Sequence, residues 1–180
     1  MTMARFILTA SALTFVTVLA ITDFRSHRIP NRLTVPAALL AFLINIGIAG
    51  FEGALRSGTG MVIGLVVFLP LFLAGKFGAG DVKGMAAVGA FLGPLGVAVA
   101  AVWTLIAGML GGLAVLFAAG GWAAVRSLFG RWLFRASMVY ATGQPVHADV
   151  LPGDPARRRF PYGFAIACGT AASLALASIQ

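Results

Sequence analysis

The chain has 180 residues, of which 60% are hydrophobic and 10% charged, with a mean hydropathy of +0.98. This composition excludes an ordinary soluble domain and indicates an integral membrane protein. In a soluble protein the formal charge of +8 would suggest nucleic-acid binding. In a membrane protein it indicates cytoplasmic loops and contact with anionic lipid, so we expect no nucleic-acid partner. The single cysteine, Cys168, excludes an internal disulfide and a cysteine-based zinc site.

Five apolar runs follow one another along the chain, over approximately residues 6–22, 33–49, 59–74, 82–121 and 160–179. Because they are continuous rather than alternating, they predict helices, and the fold class is all-α. One crossing needs roughly 20 residues, and the fourth run is interrupted by Gly93-Pro94, so we divide it into two helices. The prediction is a single membrane-embedded domain over 1–180 with about six transmembrane helices. The first run can alternatively be a cleavable signal peptide, since Arg5 precedes it.

The positive charges support this division. With six spans, eleven of the 13 Lys and Arg residues lie on one side and only Arg5 and Arg56 on the other, whereas an undivided fourth run gives eight against five. Since Lys and Arg collect on the cytoplasmic side, both termini are expected to face away from the cytoplasm. Residues 122–159 then form a cytoplasmic loop, whose apolar and arginine positions predict an amphipathic helix lying in the membrane interface.

Two acidic residues lie at the ends of predicted spans. Asp23 ends the first span, and Asp81 follows Gly78-Ala79-Gly80 just before the fourth run. Because two spans separate them, both carboxyl groups lie on the same membrane face at similar depth. Two carboxyl groups that approach each other in a low-dielectric site share a proton, so one activates water while the other polarises a carbonyl. This chemistry needs no metal and no cofactor, and we predict neither.

Each aspartate also has a purely structural interpretation. An acidic residue just before an apolar helix, as at Asp81, is a favourable cap and complements the helix dipole. Asp23 can be an interfacial residue whose charge is neutralised by Arg25 or Arg28.

The neighbouring polar and glycine residues are similarly open to two interpretations. Gly78 and Gly80 suit a cap turn, but they also allow an extended peptide to approach the backbone closely. Pro30-Asn31 can simply begin the second span with Asn31 as its cap, and Lys83 can extend toward lipid headgroups.

Three segments of the sequence resemble motifs of the prepilin peptidase family, the GxGD intramembrane aspartic peptidases also called type IV leader peptidases. Residues 23–31 (DFRSHRIPN) resemble the first-aspartate motif, residues 78–83 (GAGDVK) the second, and residues 160–164 (FPYGF) a late Pro-Phe-Gly-Pro motif. The resemblance implies that Asp23 and Asp81 are the catalytic dyad and that Gly78 and Gly80 shape the backbone beside the second aspartate.

The same resemblance implies supporting roles for Pro30, Asn31 and Lys83. It implies an endopeptidase that removes the short basic leader of a prepilin or pseudopilin at the cytoplasmic face of the bacterial inner membrane. The short loop between the first two spans lacks the paired cysteines of the larger, methylating members. We therefore expect no methyltransferase activity, and the compact chain resembles the peptidases of Flp-type, tight-adherence pili.

Two other classes of function fit the same two aspartates. A small membrane transport or assembly component would use Asp23 and Asp81 to bind a cation or relay protons. Transporters place such groups near the bilayer midplane, in repeated halves, whereas these carboxyl groups lie near one face and no repeat is visible. A structural scaffold predicts that replacing either aspartate costs stability but removes no reaction. The peptidase is the favoured prediction.

Overall fold

A computed structural model describes residues 3–26, 29–75, 77–142 and 161–179. Four helices contain almost all of them: α1 (Met3–Ser26), α2 (Asn31–Leu73), α3 (Ala79–Thr142) and α4 (Tyr162–Ile179). The described residues contain no strand, which confirms the all-α prediction.

Three helices are long and apolar enough to cross a membrane within the described part of the chain, as expected of a membrane protein. They cover Phe6–Ser26, Asn31–Leu73 and Ala79–Ala118, while the apolar stretch Tyr162–Ser178 of α4 is shorter. The predicted count of about six spans is therefore not confirmed. Two of the three helices are about twice as long as one crossing requires. Whether each makes one crossing or two therefore depends on non-helical residues within it.

The first such break is a sharp bend in α2 at Ala49 and Gly50. Ala49 has φ −134° and ψ 18°, and Gly50 has φ 55° and ψ −129°, so neither is helical. A Cβ atom on Gly53 would overlap the backbone carbonyl of Asn45, an approach that a straight helix rising 1.5 Å per residue does not allow. The bend leaves arms of about 19 and 23 residues, and each is long enough for one crossing.

The second break is a local distortion in α3 at Gly93, beside Pro94. Gly93 has φ +76°, a left-handed conformation that favours glycine, and Pro94 has no N–H to donate to the helix. The sequence predicts a turn at this position. The structure bends the backbone there, but α3 continues as one element to Thr142.

One compact unit comprises Met1–Gly108 and Pro161–Gln180. Its core contains fully buried side chains from every helix, including Leu19, Phe68, Met85, Val88 and Ile166. The second arm of α2 lies directly against α3: a Cβ atom on Gly60 would overlap the carbonyl oxygen of Gly89, and one on Gly64 would overlap that of Met85. Small residues allow this backbone contact between membrane helices.

Buried polar side chains join the same two helices. Asn45 Nδ2 and Ser57 Oγ both donate to the carbonyl oxygen of Ala90, over 3.1 and 2.9 Å. Asn45 also donates to the carbonyl of Ala41 within its own helix. These bonds satisfy polar groups that would otherwise be unpaired in an apolar interior.

The other compact unit is Met109–Phe160. It is helical as far as Thr142, and the rings of Phe117 and Trp122 stack with centroids 6.3 Å apart. The helical part covers the position of the predicted interfacial helix, whose place in the membrane interface stays a prediction. The flexible connection expected over Gly143–Pro155 lies outside the described residues.

Candidate active site

Asp81 lies in the first turn of α3 and is 9% exposed. Its Oδ2 accepts a hydrogen bond of 2.9 Å from the backbone N–H of Gly78, and its own N–H donates to the Gly78 carbonyl over 3.1 Å. The Asp81 side chain thus returns from the first turn to the residue that precedes the helix, which is one half of a capping box; Gly78 has no side chain to form the other half. Asp81 therefore does stabilise the helix start, but only one of its two carboxyl oxygens is used for it.

Asp23 lies in the last turns of α1 and is 6% exposed. Its Oδ2 accepts a hydrogen bond of 2.7 Å from the backbone N–H of Gly163, the second residue of α4. The first N–H groups of a helix have no partner within the helix, so this carboxylate satisfies one of them and complements the dipole of α4. A Cβ atom on Gly163 would lie 2.7 Å from Cβ of Asp23, so this approach requires glycine.

The structural interpretation of Asp23 has its charge neutralised by Arg25 or Arg28. Arg25 is exposed and forms no ion pair with Asp23 in the described structure, while Arg28 lies outside the described residues. The hydrogen-bond partner of Asp23 within the described residues is the backbone amide of Gly163.

The segments that hold the two aspartates lie side by side, because Phe77 and Tyr162, next to the glycines that bond Asp81 and Asp23, have ring centroids 4.3 Å apart. The packing one helical turn deeper agrees with this. A Cβ atom on Gly84, three residues after Asp81, would lie 3.0 Å from Cδ1 of Leu19, four residues before Asp23. Among the described residues, no hydrogen bond reaches Oδ1 of either aspartate.

The segment before α2 lies against the start of α3. A Cβ atom on Gly80 would lie 2.8 Å from Cβ of Ile29, so Gly80 serves a close contact within the chain. Lys83 Nζ donates to Asn31 Oδ1 over 2.9 Å at an exposed position. Pro30 occupies the cap position of α2 without any side-chain cap bond, so the Asn31 side chain binds Lys83 rather than capping its helix.

An aromatic cluster adjoins the aspartates. The ring centroids of Tyr162 and Phe77 are 4.3 Å apart, and those of Phe77 and Phe68 are 5.3 Å apart. Tyr162 lies within electrostatic range of Asp81, and a Cβ atom on Gly108 would lie 2.8 Å from its ring. This cluster forms an apolar wall beside the two carboxyl groups.

Sequence reasoning missed two features of this arrangement. The late Phe-Pro-Tyr-Gly-Phe segment was the only signal for Tyr162 and Gly163, and it carried no role for either residue. Phe77 had no signal at all, because an isolated phenylalanine next to glycine is common in a membrane protein.

The described residues contain no group of three His, Cys, Asp or Glu side chains that could hold a metal ion. Both histidines, His27 and His147, lie outside those ranges. The expectation that the site uses no metal and no cofactor stays a prediction.

The sequence model of the type IV leader peptidase family matches residues 10–116, which is more than half of the chain. The matched region contains Asp23, Asp81 and the Ile29-Pro30-Asn31 segment, and it ends before the late motif. No curated protein and no solved structure gives a significant match.

Proposed function

The chain belongs to the type IV leader peptidase family, and on this premise we propose that it is an intramembrane aspartic endopeptidase that removes the short basic leader of a prepilin. The observation that supports the proposal is the placement of Asp23 and Asp81. Both carboxyl groups are buried and come from different helices, and each accepts a hydrogen bond from the backbone N–H of a glycine, Gly163 and Gly78 respectively. The residues beside those glycines, Tyr162 and Phe77, pack against each other with ring centroids 4.3 Å apart.

The proposed reaction is a direct hydrolysis of one peptide bond. The ionised carboxylate takes a proton from a water molecule, whose oxygen attacks the scissile carbonyl carbon. The protonated carboxyl group donates its proton to the carbonyl oxygen, which gives a neutral tetrahedral diol. When the diol collapses, the C–N bond breaks, a proton passes to the leaving amine, and the dyad returns to its starting state with one proton.

Two backbone amides hold the dyad in this mechanism. The N–H groups of Gly163 and Gly78 each fix Oδ2 of one aspartate, so the side chains are positioned before substrate arrives. Fixed orientation of the reacting groups lowers the entropic part of the barrier. Lys83 and Asn31 act at a distance, by joining the beginning of α2 to the first turn of α3.

The peptide backbone is proposed to lie beside Gly78. Gly78 is exposed, and the atom nearest to a Cβ atom placed on it is its hydrogen-bonding partner Asp81 Oδ2, at 3.3 Å. Gly80 is covered by Ile29. Of the two glycines, Gly78 therefore offers the space for a leader to approach, by close contact rather than by strand pairing, because its N–H and C=O already bond to residues 81 and 82.

The proposed setting is the bacterial inner membrane, with the dyad at the cytoplasmic face and both termini outside. The substrates are prepilins or pseudopilins of Flp type, with the cut just ahead of their hydrophobic helix. We propose no methyltransferase activity, since the loop before α2 is short and contains no cysteine.

Co-expression with a Flp-type prepilin tests the function. The size and N-terminus of the pilin are followed for the wild type and for Asp23→Asn and Asp81→Asn, with accumulation in the membrane checked for each. Glu52→Gln is the matched control, because Glu52 is an exposed acidic residue of α2 near the Gly50 bend, outside the candidate site. We expect wild type and control to trim the leader and both aspartate variants to fail.

Cleavage by either aspartate variant at the wild-type rate would refute the dyad. If the wild type cleaves none of several prepilins, the peptidase proposal fails, and a transport role for the same aspartates becomes the hypothesis to pursue.

A further inference from the structure

A cavity of about 740 Å³ lies at the end of the helices remote from the aspartates. Ala12 of α1 and Leu174 of α4 line it, and they lie about eleven residues from Asp23 and Gly163, which is roughly 16 Å along a helix. Side chains such as Phe91 and Leu174 make much of the wall apolar. The cavity is therefore separate from the candidate active site.

Arg56 of α2 is the one charged residue among those that line this cavity in the described structure. Its Nη2 donates to the carbonyl oxygen of Leu92 over 3.4 Å. A Cβ atom on Gly93 would lie 2.7 Å from its Nε, so the left-handed glycine makes the space in which the guanidinium lies. The left-handed conformation of Gly93 in α3 thus makes room for the Arg56 guanidinium at the cavity wall.

The guanidinium charge of Arg56 has no acidic partner in the described part of the chain. Glu52, one turn earlier on α2, forms no ion pair with it. A guanidinium has five N–H donors, and the described structure uses one of them, for the Leu92 carbonyl. A cation with free donors beside an apolar wall is complementary to an anion that carries an apolar chain.

We propose that this cavity binds an anionic phospholipid, whose phosphate group pairs with Arg56 and whose acyl chain occupies the apolar part. A phospholipid satisfies both halves of the cavity, whereas inorganic phosphate would leave the apolar wall uncovered. Binding here is independent of the peptidase reaction, because no lining residue belongs to the candidate active site.

Lipid binding is measured on the purified full chain in a phosphate-free detergent. Native mass spectrometry counts bound phosphatidylglycerol, and thermal unfolding follows its stabilising effect, since a ligand of the folded state raises the unfolding temperature. We expect the wild type to retain phosphatidylglycerol and to bind it more tightly than phosphatidylcholine. Inorganic phosphate alone should leave the unfolding temperature unchanged.

Three variants separate charge from shape. Arg56→Gln should weaken phosphatidylglycerol binding about tenfold or more, by loss of charge-assisted hydrogen bonds. Arg126→Gln, which removes the same charge from an exposed arginine that does not line the cavity, should bind as wild type does. Ala177→Phe, at an exposed lining position, should occupy part of the cavity and reduce binding while Arg56 is intact. Because Ala177→Phe keeps the Arg56 charge, it still tests whether the lipid binds in the cavity if Arg56→Gln does not fold.

Equal lipid binding by wild type, Arg56→Gln and Ala177→Phe would overturn the proposal. The same conclusion would follow if phosphatidylcholine bound as tightly as phosphatidylglycerol, or if inorganic phosphate stabilised the protein as much as the lipid does.

Discussion

The Asp23 carboxylate accepts a hydrogen bond from the backbone N–H of Gly163, although 140 residues separate the two positions in the chain. The bond ties the end of α1 to the beginning of α4, while Asp81 belongs to the beginning of α3. The candidate site is thus assembled from three helices, with one carboxyl group satisfying the first turn of a neighbouring helix and the other satisfying its own. Both aspartates have a structural role, and this role is compatible with a chemical one.

The structural role of Asp23 can be separated from its chemistry by comparing two substitutions. Asp23→Ala should lower the free energy of unfolding by about 1–2 kcal/mol, because the buried N–H of Gly163 loses its acceptor. Asp23→Asn should cost much less, since its amide oxygen still accepts that bond. Both should abolish leader cleavage. The measurement is denaturant unfolding of the purified protein in detergent, and equal stability of the two variants would contradict a stabilising role for the hydrogen bond.

The glycine at position 163 should be essential for the approach of α4 to α1. In Gly163→Ala the new Cβ atom would lie 2.7 Å from Cβ of Asp23, so the helices must separate. We expect a loss of about 1–3 kcal/mol in stability, the usual range for overpacking, and a displaced Asp23 that lowers the cleavage rate.

The matched control is Gly47→Ala, at a helical glycine with open space around its Cβ position. Alanine in the middle of a helix is favoured over glycine by about 0.5–1 kcal/mol, so this variant should be neutral or slightly more stable. If Gly163→Ala behaves like Gly47→Ala in both stability and cleavage, the close contact is unimportant.

Several parts of this arrangement follow from the sequence by simple physical rules. Continuous apolar runs require helices in lipid, and counting the runs between Asp23 and Asp81 predicts that both lie on one membrane face. The less apolar residues 50–58, which include Glu52 and Arg56, separate the second and third apolar runs and so predict a loop there. That prediction is wrong. In the structure a single bend at Gly50 suffices, and the helix continues through Ser57, whose hydroxyl is satisfied by the Ala90 carbonyl of α3.

The contacts between distant segments could not be predicted in the same way. The Gly163 amide and the Asp23 carboxylate meet only because α1 and α4 pack side by side, and no local pattern encodes that packing. The same holds for Lys83, for which both lipid headgroups and the Asn31 amide are available partners. Side-chain hydrogen bonds of this kind depend on positions that only the assembled helices define.

The hydrogen bond between Lys83 and Asn31 should couple the two motif segments. We expect Lys83→Ala and Asn31→Ala each to reduce leader cleavage, because either change frees the beginning of α2 from the first turn of α3. If the bond is what matters, the double variant should be no slower than the slower single variant, as a double-mutant cycle reveals. The rate is measured with a detergent-solubilised prepilin under single-turnover conditions. Fully additive effects would show that the two side chains act separately.

The shared proton of the proposed dyad gives a pH dependence that distinguishes it from a scaffold. At low pH both carboxyl groups are protonated, so no base remains to activate water. At high pH both are ionised, so no acid remains to polarise the carbonyl. The rate of leader cleavage should therefore pass through a maximum and fall on both sides.

The pH profile is measured as initial rates of prepilin cleavage, with the fraction of folded protein followed at every pH. Because the two helix caps also depend on these carboxyl groups, unfolding at low pH could mimic the acidic limb of the profile. A return to full activity after a brief exposure to low pH, together with unchanged helical content during it, assigns the fall to the dyad. A rate that stays constant across the range in which the protein is folded would contradict a mechanism based on one ionised and one protonated aspartate.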